Sequence, residues 1–340
     1  MLRLPSSWTW DFWLAQDQGT YHLFFLKASR ALHDPDLRHW RATIGHAVSD
    51  DLRCWTEVAD ALVPSDSPAP DDLATWTGSV VRDESGLWWM FYTGVDREGR
   101  GQVQRIRAAT STDLMTWYKH PDLILESDAR WYEKLSDDNW QDEAFRDPWV
   151  FRDAPDGPWH MLITARARTG PQYDRGIVGH ATSPDLENWE LQSPLSQPDA
   201  GFGQLEVLQV EEVDGRRVLL FSCLHTEMSQ DRRTAGQVGG VWSVPIDGAT
   251  TGPFDITKAR RLTTEAAYSG RLIKDPTGRW VMLAFHHLDE GGSFVGEIAD
   301  PVPVAWNADG TALRLVDPPA EWVPEEHEAT VGATRYPTDS

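Results

Sequence analysis

The sequence predicts an all-β fold, a single-domain five-bladed β-propeller, and three observations lead to this prediction. The chain of 340 residues contains five similar hairpin segments, each with a second strand rich in aromatic and aliphatic residues. No long stretch has helical spacing of apolar residues, which argues against α/β barrels and doubly wound sheets. The composition, with 40% hydrophobic and 25% charged residues, is that of a folded protein that can bury a sizeable core.

The five hairpin segments share a strand-like run, a turn that ends in glycine and a second apolar run. They are Trp8–Ala28, Trp76–Gly94, Phe145–Ala165, Leu205–Cys223 and Tyr268–His287, with turn glycines Gly19, Gly86, Gly157, Gly215 and Gly278. Asp-Gly and similar pairs are strong hairpin signals. Spacings of 67, 71, 58 and 63 residues between these glycines leave room for one four-stranded blade each.

A second repeat, S-x-D-L-x-x-W, begins at Ser49, Ser111 and Ser183. Its Ser and Asp side chains can cap a turn by bonding the backbone, while Leu and Trp can pack between neighbouring blades. We therefore assign these tryptophans to the scaffold. Most of the 18 tryptophans of the chain are expected in the core, which is the usual place of large aromatic side chains.

The bulk composition excludes several classes of partner. A formal net charge of -22 repels phosphate backbones and anionic lipids, so neither nucleic acid nor a membrane is an expected partner. Cys54 and Cys223 are far apart and are expected to be buried apolar residues. No metal-ligand spacing such as HExxH occurs, and we expect no metal or other cofactor.

The predicted propeller extends over residues 1–318, followed by a tail over residues 319–340 rich in Pro, Glu and Thr and without a separate β-sandwich. The N-terminal residues contain no apolar stretch long enough for a secretory signal. We therefore expect a cytoplasmic protein, or a secreted one if a leader has been removed.

The first strand of each blade lines the central channel of a propeller, so these strands are expected to carry the site. Three of the five contain an acid, Asp11, Asp147 or Glu206, at 8, 10 and 9 residues before the hairpin glycine. Acids at equivalent blade positions converge on one axis, where repulsion and desolvation separate their pKa values. The substrate contacts expected near them are Trp10, Trp13, Trp76, Ser79, Arg146 and Tyr268.

Paired carboxylates in a tryptophan-rich pocket suit the cleavage of glycosidic bonds. One acid protonates the leaving oxygen, and another attacks the anomeric carbon or activates water. A third acid can hold sugar hydroxyls and stabilise the positive charge on the ring. Arg146, beside Asp147, is expected to keep that carboxylate ionised and oriented.

Several motifs resemble those of glycoside hydrolase families 32 and 68, the β-fructosidases and levansucrases. The stretches are WDFW from Trp10, HAVSDDLRCW from His46, ATWTGS from Ala74 and FRDPWVF from Phe145. The resemblance covers residues 8–290 and implies a five-bladed propeller that acts on a small oligosaccharide or polysaccharide. It also implies Asp11 as nucleophile, Asp147 as transition-state stabiliser and Glu206 as general acid/base of a retaining double displacement.

The sequence departs from these families at two motifs. The N-D-P-N-G motif is absent, with Trp10 where its Asn would stand, and E-C-P or E-R-P is replaced by Glu206-Val-Leu. Glu211 and Glu212 stay open as alternatives for the acid/base, because a one-residue slip in strand register reverses the face of a side chain. Fructofuranosides are the favoured substrates, and another furanoside or a pyranoside stays open.

Two other functions remain open at this stage. The first is an inverting arabinofuranosidase or xylosidase of the family 43 type, for which the acids would be about 6.5–9.5 Å apart instead of about 5–5.5 Å. The second is a propeller that binds carbohydrate without turnover. Hydrolysis and transfer to a second sugar are not distinguished by the sequence.

Overall fold

The computed structural model describes residues 1–324 and contains five antiparallel sheets. The strands of the first three sheets are β1 (Ser7–Asp17), β2 (Thr20–Ser29), β3 (Thr43–Ser49), β4 (Thr56–Glu57), β5 (Ala74–Arg82), β6 (Trp88–Val95), β7 (Gln104–Ser111), β8 (Tyr118–Leu125), β9 (Phe145–Arg152), β10 (Trp159–Arg166), β11 (Gly176–Ser183) and β12 (Glu190–Gln192). Those of the last two are β13 (Glu206–Val213), β14 (Arg216–Cys223), β15 (Gly240–Ile246), β16 (Arg260–Arg261), β17 (Ala267–Lys274), β18 (Trp280–Leu288), β19 (Phe294–Ile298), β20 (Val302–Trp306) and β21 (Leu313–Leu315).

Helices in the described part of the chain are short and lie in the connections. One is an α-helix, α1 (Gln230–Thr234). The 3-10 helices are Arg30–Leu32, Pro35–Arg41, Leu135–Asp137, Gln172–Asp174, His225–Glu227, Ile256–Lys258 and Ala320–Trp322. No helix among residues 1–324 is long and apolar enough to cross a bilayer.

Each of the first four sheets is a meander of four consecutive strands, and the fifth adds β19 beside β18. The first strands of the sheets contact one another in sequence order, and β17 contacts β1, so these five strands surround a common axis. The chain is therefore a five-bladed β-propeller, and the five hairpins predicted from the glycine repeat are the inner hairpins of its blades.

Backbone pairing joins the beginning of the chain to the fifth blade. The amide of Leu2 donates to the carbonyl of Ile298 at 2.9 Å, and the amide of Ile298 donates back to Leu2 at 3.0 Å. Because β1 follows directly, the first blade is fixed against the last. This pairing helps to close the ring.

The S-x-D-L-x-x-W repeat has the structural role predicted for it. In each copy the Asp carboxylate accepts backbone amides two and three residues later, and the Leu is fully buried. The indole of Trp117 packs edge-on against Phe24 of the first blade, and that of Trp189 against Phe91 of the second. These tryptophans thus join neighbouring blades.

The prediction for the cysteines is right for one of them only: Cys223 is buried, whereas Cys54 is exposed, and both are free. Beyond the last strand, Trp322 is completely buried against the fifth blade. The predicted tail therefore begins with a packed segment. Residues 325–340 of that tail lie outside the described residues.

Candidate active site

A β-bulge interrupts the inner strand of every blade at the same level of the channel. The strand register shifts by one residue in each of the five inner hairpins. The last paired residues before the bulges are Trp10, Trp76, Arg146, Glu206 and Tyr268. The first residues within the bulges are Asp11, Thr77, Asp147, Val207 and Ser269. Bulges redirect side chains and are common next to active sites.

The three predicted acids converge at this level, but they do not occupy identical positions. Asp11 and Asp147 are the first bulge residues of their blades, whereas Glu206 is the residue before the bulge. The expectation of equivalent positions is therefore right for the two aspartates and wrong by one residue for Glu206. All three carboxylates are nevertheless close enough to influence one another electrostatically.

Asp11 is held by hydroxyl groups from the two neighbouring blades. Thr77 donates to its Oδ2 at 2.9 Å, and Ser269 donates to its Oδ1. Burial raises the pKa of Asp11, and the charge of Glu206 adds to this effect. The two hydroxyl groups and the Arg38 guanidinium act in the opposite direction because they stabilise the carboxylate.

Asp147 is almost fully buried, with 2% of its surface exposed, and its backbone has a positive φ of 56°. Its Oδ2 accepts hydrogen bonds from the Thr164 hydroxyl at 3.0 Å and the Val207 amide at 3.3 Å. Burial raises the pKa of Asp147 to about 7, although Arg146, 3.5 Å away, lowers it. The prediction that Arg146 keeps this carboxylate ionised therefore underestimates the effect of burial.

Glu206 has a hydrogen-bond partner for each carboxylate oxygen. Arg146 forms an ion pair with Oε1, and the Tyr268 hydroxyl donates to Oε2. Burial, followed by the negative charge of Glu206, raises the pKa of Tyr268, which keeps the phenol protonated as a donor. Arg146 and Tyr268, both predicted as substrate contacts, thus contact Glu206 directly.

Two glutamines orient the Arg146 guanidinium, and neither was recognised from the sequence. Nη1 donates to Gln104 at 3.2 Å, and Nη2 donates to Gln204. Burial alone would lower the pKa of Arg146, but the surrounding acids, Glu206 first, raise it. The guanidinium is therefore permanently charged.

Glu227 is a further buried acid that the sequence did not reveal. Its Oε1 accepts from Gln204 at 2.9 Å, and its buried Oε2 has no hydrogen-bond partner. Burial and the nearby Glu206 raise the pKa of Glu227 to about 8. Because it comes from the connection after β14, about 20 residues beyond Glu206, no motif or strand pattern marks it.

The connection after β2 supplies two side chains next to the acids. His39 lies edge-on between the indoles of Trp10 and Trp76, with ring centroids 6.0 and 6.2 Å away. Burial lowers the pKa of His39 to about 3, so its imidazole is neutral. The Arg38 guanidinium lies 5.5 Å from the centre of the Trp10 ring. Trp10 keeps only 2% of its surface exposed, while Trp76 is half-buried.

Two of the predicted substrate contacts lie in the scaffold instead. Trp13 is fully buried and stacks on Phe24 inside the first blade. Ser79 is buried, and its Oγ accepts the Val150 amide at 3.1 Å, which ties the second blade to the third. In a regular strand both would share the face of the residue two positions earlier, but the bulge breaks this alternation.

Within residues 1–324, no group of three or more His, Cys, Asp or Glu side chains has the geometry of a metal site. The site contains carboxylates in contact with hydroxyl groups and a guanidinium. Carboxylates gathered in one pocket are the groups that glycoside hydrolases use to cleave glycosidic bonds.

Comparison with known proteins defines the family. Residues 13–292 match the model of the glycosyl hydrolases family 32 N-terminal domain, and the chain therefore belongs to this family. Asp147 and Glu206 lie inside the matched range, and Asp11 lies two residues before it. The sequence resemblance to family 32 is confirmed.

Relatives by sequence include an extracellular sucrase of Zymomonas mobilis, 24% identical over 341 residues that cover 86% of this chain and 78% of the sucrase. An insoluble β-fructofuranosidase isoenzyme of Oryza sativa is 29% identical over 191 residues, which cover 54% of this chain. The match spans only 28% of the length of the rice enzyme.

Two solved structures have the same fold. An inulosucrase from Halalkalicoccus jeotgali bound to kestose has a TM-score of 0.73 and 22% identity, covering 93% of this chain and 90% of its own. The Bombyx mori family 32 β-fructofuranosidase has a TM-score of 0.70 and 19% identity, covering 93% of this chain and 64% of its own. At these identities the likeness establishes the propeller fold.

Proposed function

We propose that this protein hydrolyses terminal β-fructofuranosides with retention of configuration, through the acids Asp11, Asp147 and Glu206. The observation that carries the proposal is their convergence at the bulges of three inner strands, with hydroxyl and guanidinium partners. The relatives named as sucrase and β-fructofuranosidase support the choice of sugar. We further propose that residues 1–318 form the catalytic unit; a cytoplasmic location stays a prediction.

Asp11 is proposed as the nucleophile. Hydroxyl groups donate to both of its oxygens, an arrangement that stabilises and orients a carboxylate. In the first step its oxygen bonds to the anomeric carbon of the fructosyl ring while the bond to the leaving oxygen breaks. In the second step water attacks the same carbon and the Asp11 ester is released.

Glu206 is proposed as the general acid/base. It donates a proton to the leaving oxygen in the first step and takes one from water in the second. The ion pair with Arg146 and the Tyr268 hydrogen bond hold its carboxylate in one orientation.

Asp147 is proposed to bind sugar hydroxyls and to stabilise the charged transition state. Its Oδ2 is occupied by Thr164 and Val207. No described residue donates to Oδ1, which is therefore available to substrate. As positive charge develops on the sugar ring, the ionised form of this desolvated carboxyl becomes favourable.

Variants of the proposed acids test these roles. Asp11→Asn and Glu206→Gln should be compared with Glu212→Gln, an exposed acid on the same strand as Glu206, on sucrose, inulin, levan and an aryl β-fructofuranoside. We expect no measurable turnover for Asp11→Asn and a loss of about 10²–10⁴-fold on sucrose for Glu206→Gln. The loss should be smaller on an aryl fructoside with an acidic phenol, because that leaving group needs little protonation.

The control variant, Glu212→Gln, should keep wild-type activity on every substrate. Wild-type turnover by Asp11→Asn would overturn the assignment of the nucleophile, and absence of cleavage by the wild-type chain on all four substrates would overturn the proposed activity in favour of a binding function.

The stereochemical course is tested separately. NMR of the sugar released in the first minutes from an aryl β-fructofuranoside should show the β anomer, as retention requires. First formation of the α anomer would instead indicate the inverting mechanism.

A further inference from the structure

Arg271 is a buried cation that contacts the backbone next to two of the acids and takes no part in the proposed catalytic steps. It lies on β17 two residues after Ser269 and is the first paired residue after the bulge of the fifth blade. Only 1% of its surface is exposed. Because Ser269 donates to Asp11, Arg271 lies two residues beyond the contact with that acid along β17.

The Arg271 guanidinium joins three blades at the bulges. Nε donates to the carbonyl of Phe12 at 3.2 Å. Nη1 donates to the carbonyls of Leu208 at 2.6 Å and Val207 at 3.4 Å. Phe12 directly follows Asp11, and Val207 directly follows Glu206. One side chain therefore fixes the two strand segments that carry these acids.

The charge of Arg271 is not neutralised by a direct contact. Among the described residues, no carboxylate oxygen lies within 4.0 Å of its guanidinium nitrogens. Burial lowers the pKa of Arg271 to about 10, and Asp147, Asp11 and Glu211 oppose this lowering. The guanidinium thus remains charged at neutral pH.

Arg271 also lines a cavity of about 150 Å³. Leu14, Trp149, Gln209, Glu211, Lys274 and Trp280 contribute to its lining. All of these except Trp280, which lies on β18, follow the bulges on the inner strands. Arg271 therefore contacts both this cavity and the backbone next to Asp11 and Glu206.

On these grounds we propose that Arg271 is a positioning residue of the active site, which fixes the backbone next to Asp11 and Glu206 and places a buried positive charge beside the bulge that contains Asp11. The inference rests on the proposed function. A guanidinium suits this role because its donors point in several fixed directions, whereas a lysine is a point charge that cannot hold three carbonyls in the same way.

The test uses Arg271→Lys and Arg271→Met, with Arg107→Met as the matched control. Arg107 is another buried arginine that donates to three carbonyls, those of Leu123, His120 and Pro121, but it lies in the second blade away from the acids. For each variant, kcat, KM, the pH profile of kcat/KM and the urea midpoint are measured.

We expect both Arg271 variants to lose about 10²-fold in kcat with little change in KM, because misplaced acids slow the chemical step more than binding. In Arg271→Met the midpoint of the acidic limb of the kcat/KM profile should move to higher pH by about half a unit or more, since loss of a nearby cation disfavours ionised Asp11. In Arg271→Lys this midpoint should stay close to wild type.

The charged and titratable groups facing Asp11 are Glu206 from β13, Asp147 from β9, Arg38 from the connection after β2 and Arg271 from β17. All except Arg271 are unchanged in these variants.

Arg107→Met should lower the urea midpoint while leaving kcat and the acidic limb unchanged. The proposal would be overturned if folded Arg271→Met had the wild-type kcat and an unshifted acidic limb in its kcat/KM profile. If Arg271→Met does not fold, the test is the kcat of Arg271→Lys. A wild-type kcat in that variant would contradict the positioning role.

A second measurement separates this inference from the proposed function. The carboxyl of Asp11 can be titrated by ¹³C NMR in selectively labelled protein and assigned with Asp11→Asn, which requires no turnover. Its pKa should be higher in Arg271→Met than in wild type, even if no fructoside is cleaved. An unchanged pKa contradicts the electrostatic role of Arg271 whatever the activity of the chain.

Discussion

The Ser269 hydroxyl donates a hydrogen bond to Oδ1 of Asp11 across a sequence separation of 258 residues. Ser269 is the first bulge residue of the fifth blade, and Asp11 is the first bulge residue of the first blade. The proposed nucleophile is therefore oriented by the junction between the last and first blades.

Replacement of Ser269 by alanine should weaken the proposed nucleophile. Without this donor the pKa of Asp11 rises further, so the acidic limb of kcat/KM should move to higher pH. We expect kcat/KM at its optimum to fall about tenfold or more, the usual cost of one hydrogen bond to a charged group. Ser243→Ala, at a buried serine of the fourth blade with only a 3.5 Å contact to a carbonyl, should have neither effect. An unshifted limb in Ser269→Ala would contradict the role assigned to this bond.

Asp147→Asn should make the protein more stable at high pH. Burial raises the pKa of Asp147 from 3.8 to about 7, so the native state holds this proton more tightly than the unfolded state. The stabilisation from the protonated acid is fully present below pH 3.8 and is lost as pH rises through 7. The neutral amide avoids this loss, and urea unfolding should show a gain of about 2–4 kcal/mol at pH 8.5 that disappears near pH 4. A difference that does not depend on pH would contradict the shifted pKa.

Replacement of Trp13 should mainly lower stability, whereas replacement of Trp10 should mainly lower kcat/KM. Trp13→Leu removes part of a fully buried ring that stacks on Phe24 and should lower the free energy of unfolding by about 2–4 kcal/mol. Its KM and kcat should stay near wild type at temperatures where it is folded. Trp10→Phe, at the level of the acids, should change kcat/KM by a larger factor than it changes stability. An altered KM in folded Trp13→Leu would contradict the scaffold role of Trp13 and indicate that it contacts substrate.

The first copy of the S-x-D-L-x-x-W repeat offers a test of its structural role. Asp51 accepts the Ser49 hydroxyl and the amides of Arg53 and Cys54, whereas neighbouring Asp50 has only a 3.4 Å contact with Thr20. Asp51→Ala should cost about 1–2 kcal/mol in urea unfolding at pH 7, and Asp50→Ala should be neutral. Equal effects of the two substitutions would show that the turn does not depend on this cap.

Much of the fold could be predicted because each blade repeats a local signal. The turn glycines and the apolar strands after them lie close together in sequence, so hairpins such as Asp17–Thr20 follow from local chemistry alone. Asp11, Asp147 and Glu206 could be predicted as site residues because they occur on these strands. Glu206 lies one residue before the bulge position of the two aspartates, and Trp13 lies in the scaffold although it was predicted to contact substrate. Both differences have one cause, the bulge, whose extra residue leaves no distinctive sequence signal.

Other side chains at the site could not be found from one strand at a time. Arg38 and His39 come from a connection between strands, and Glu227 from a short 3-10 helix. Arg271 resembles any strand arginine until the ring is closed, when its donors meet carbonyls of Phe12 and Leu208 in two other blades. Such contacts depend on the packing of blades distant in sequence.

The junction between the first and last blades also has a consequence for biosynthesis. Asp11 precedes Ser269 by 258 residues, so Ser269 and Arg271 leave the ribosome only after four blades have been made. A nascent chain thus carries the acid without the groups that orient it, and the reactive centre is completed late, when the two ends of the blade series meet. Catalytic competence should accordingly appear in one step with ring closure instead of growing with each blade.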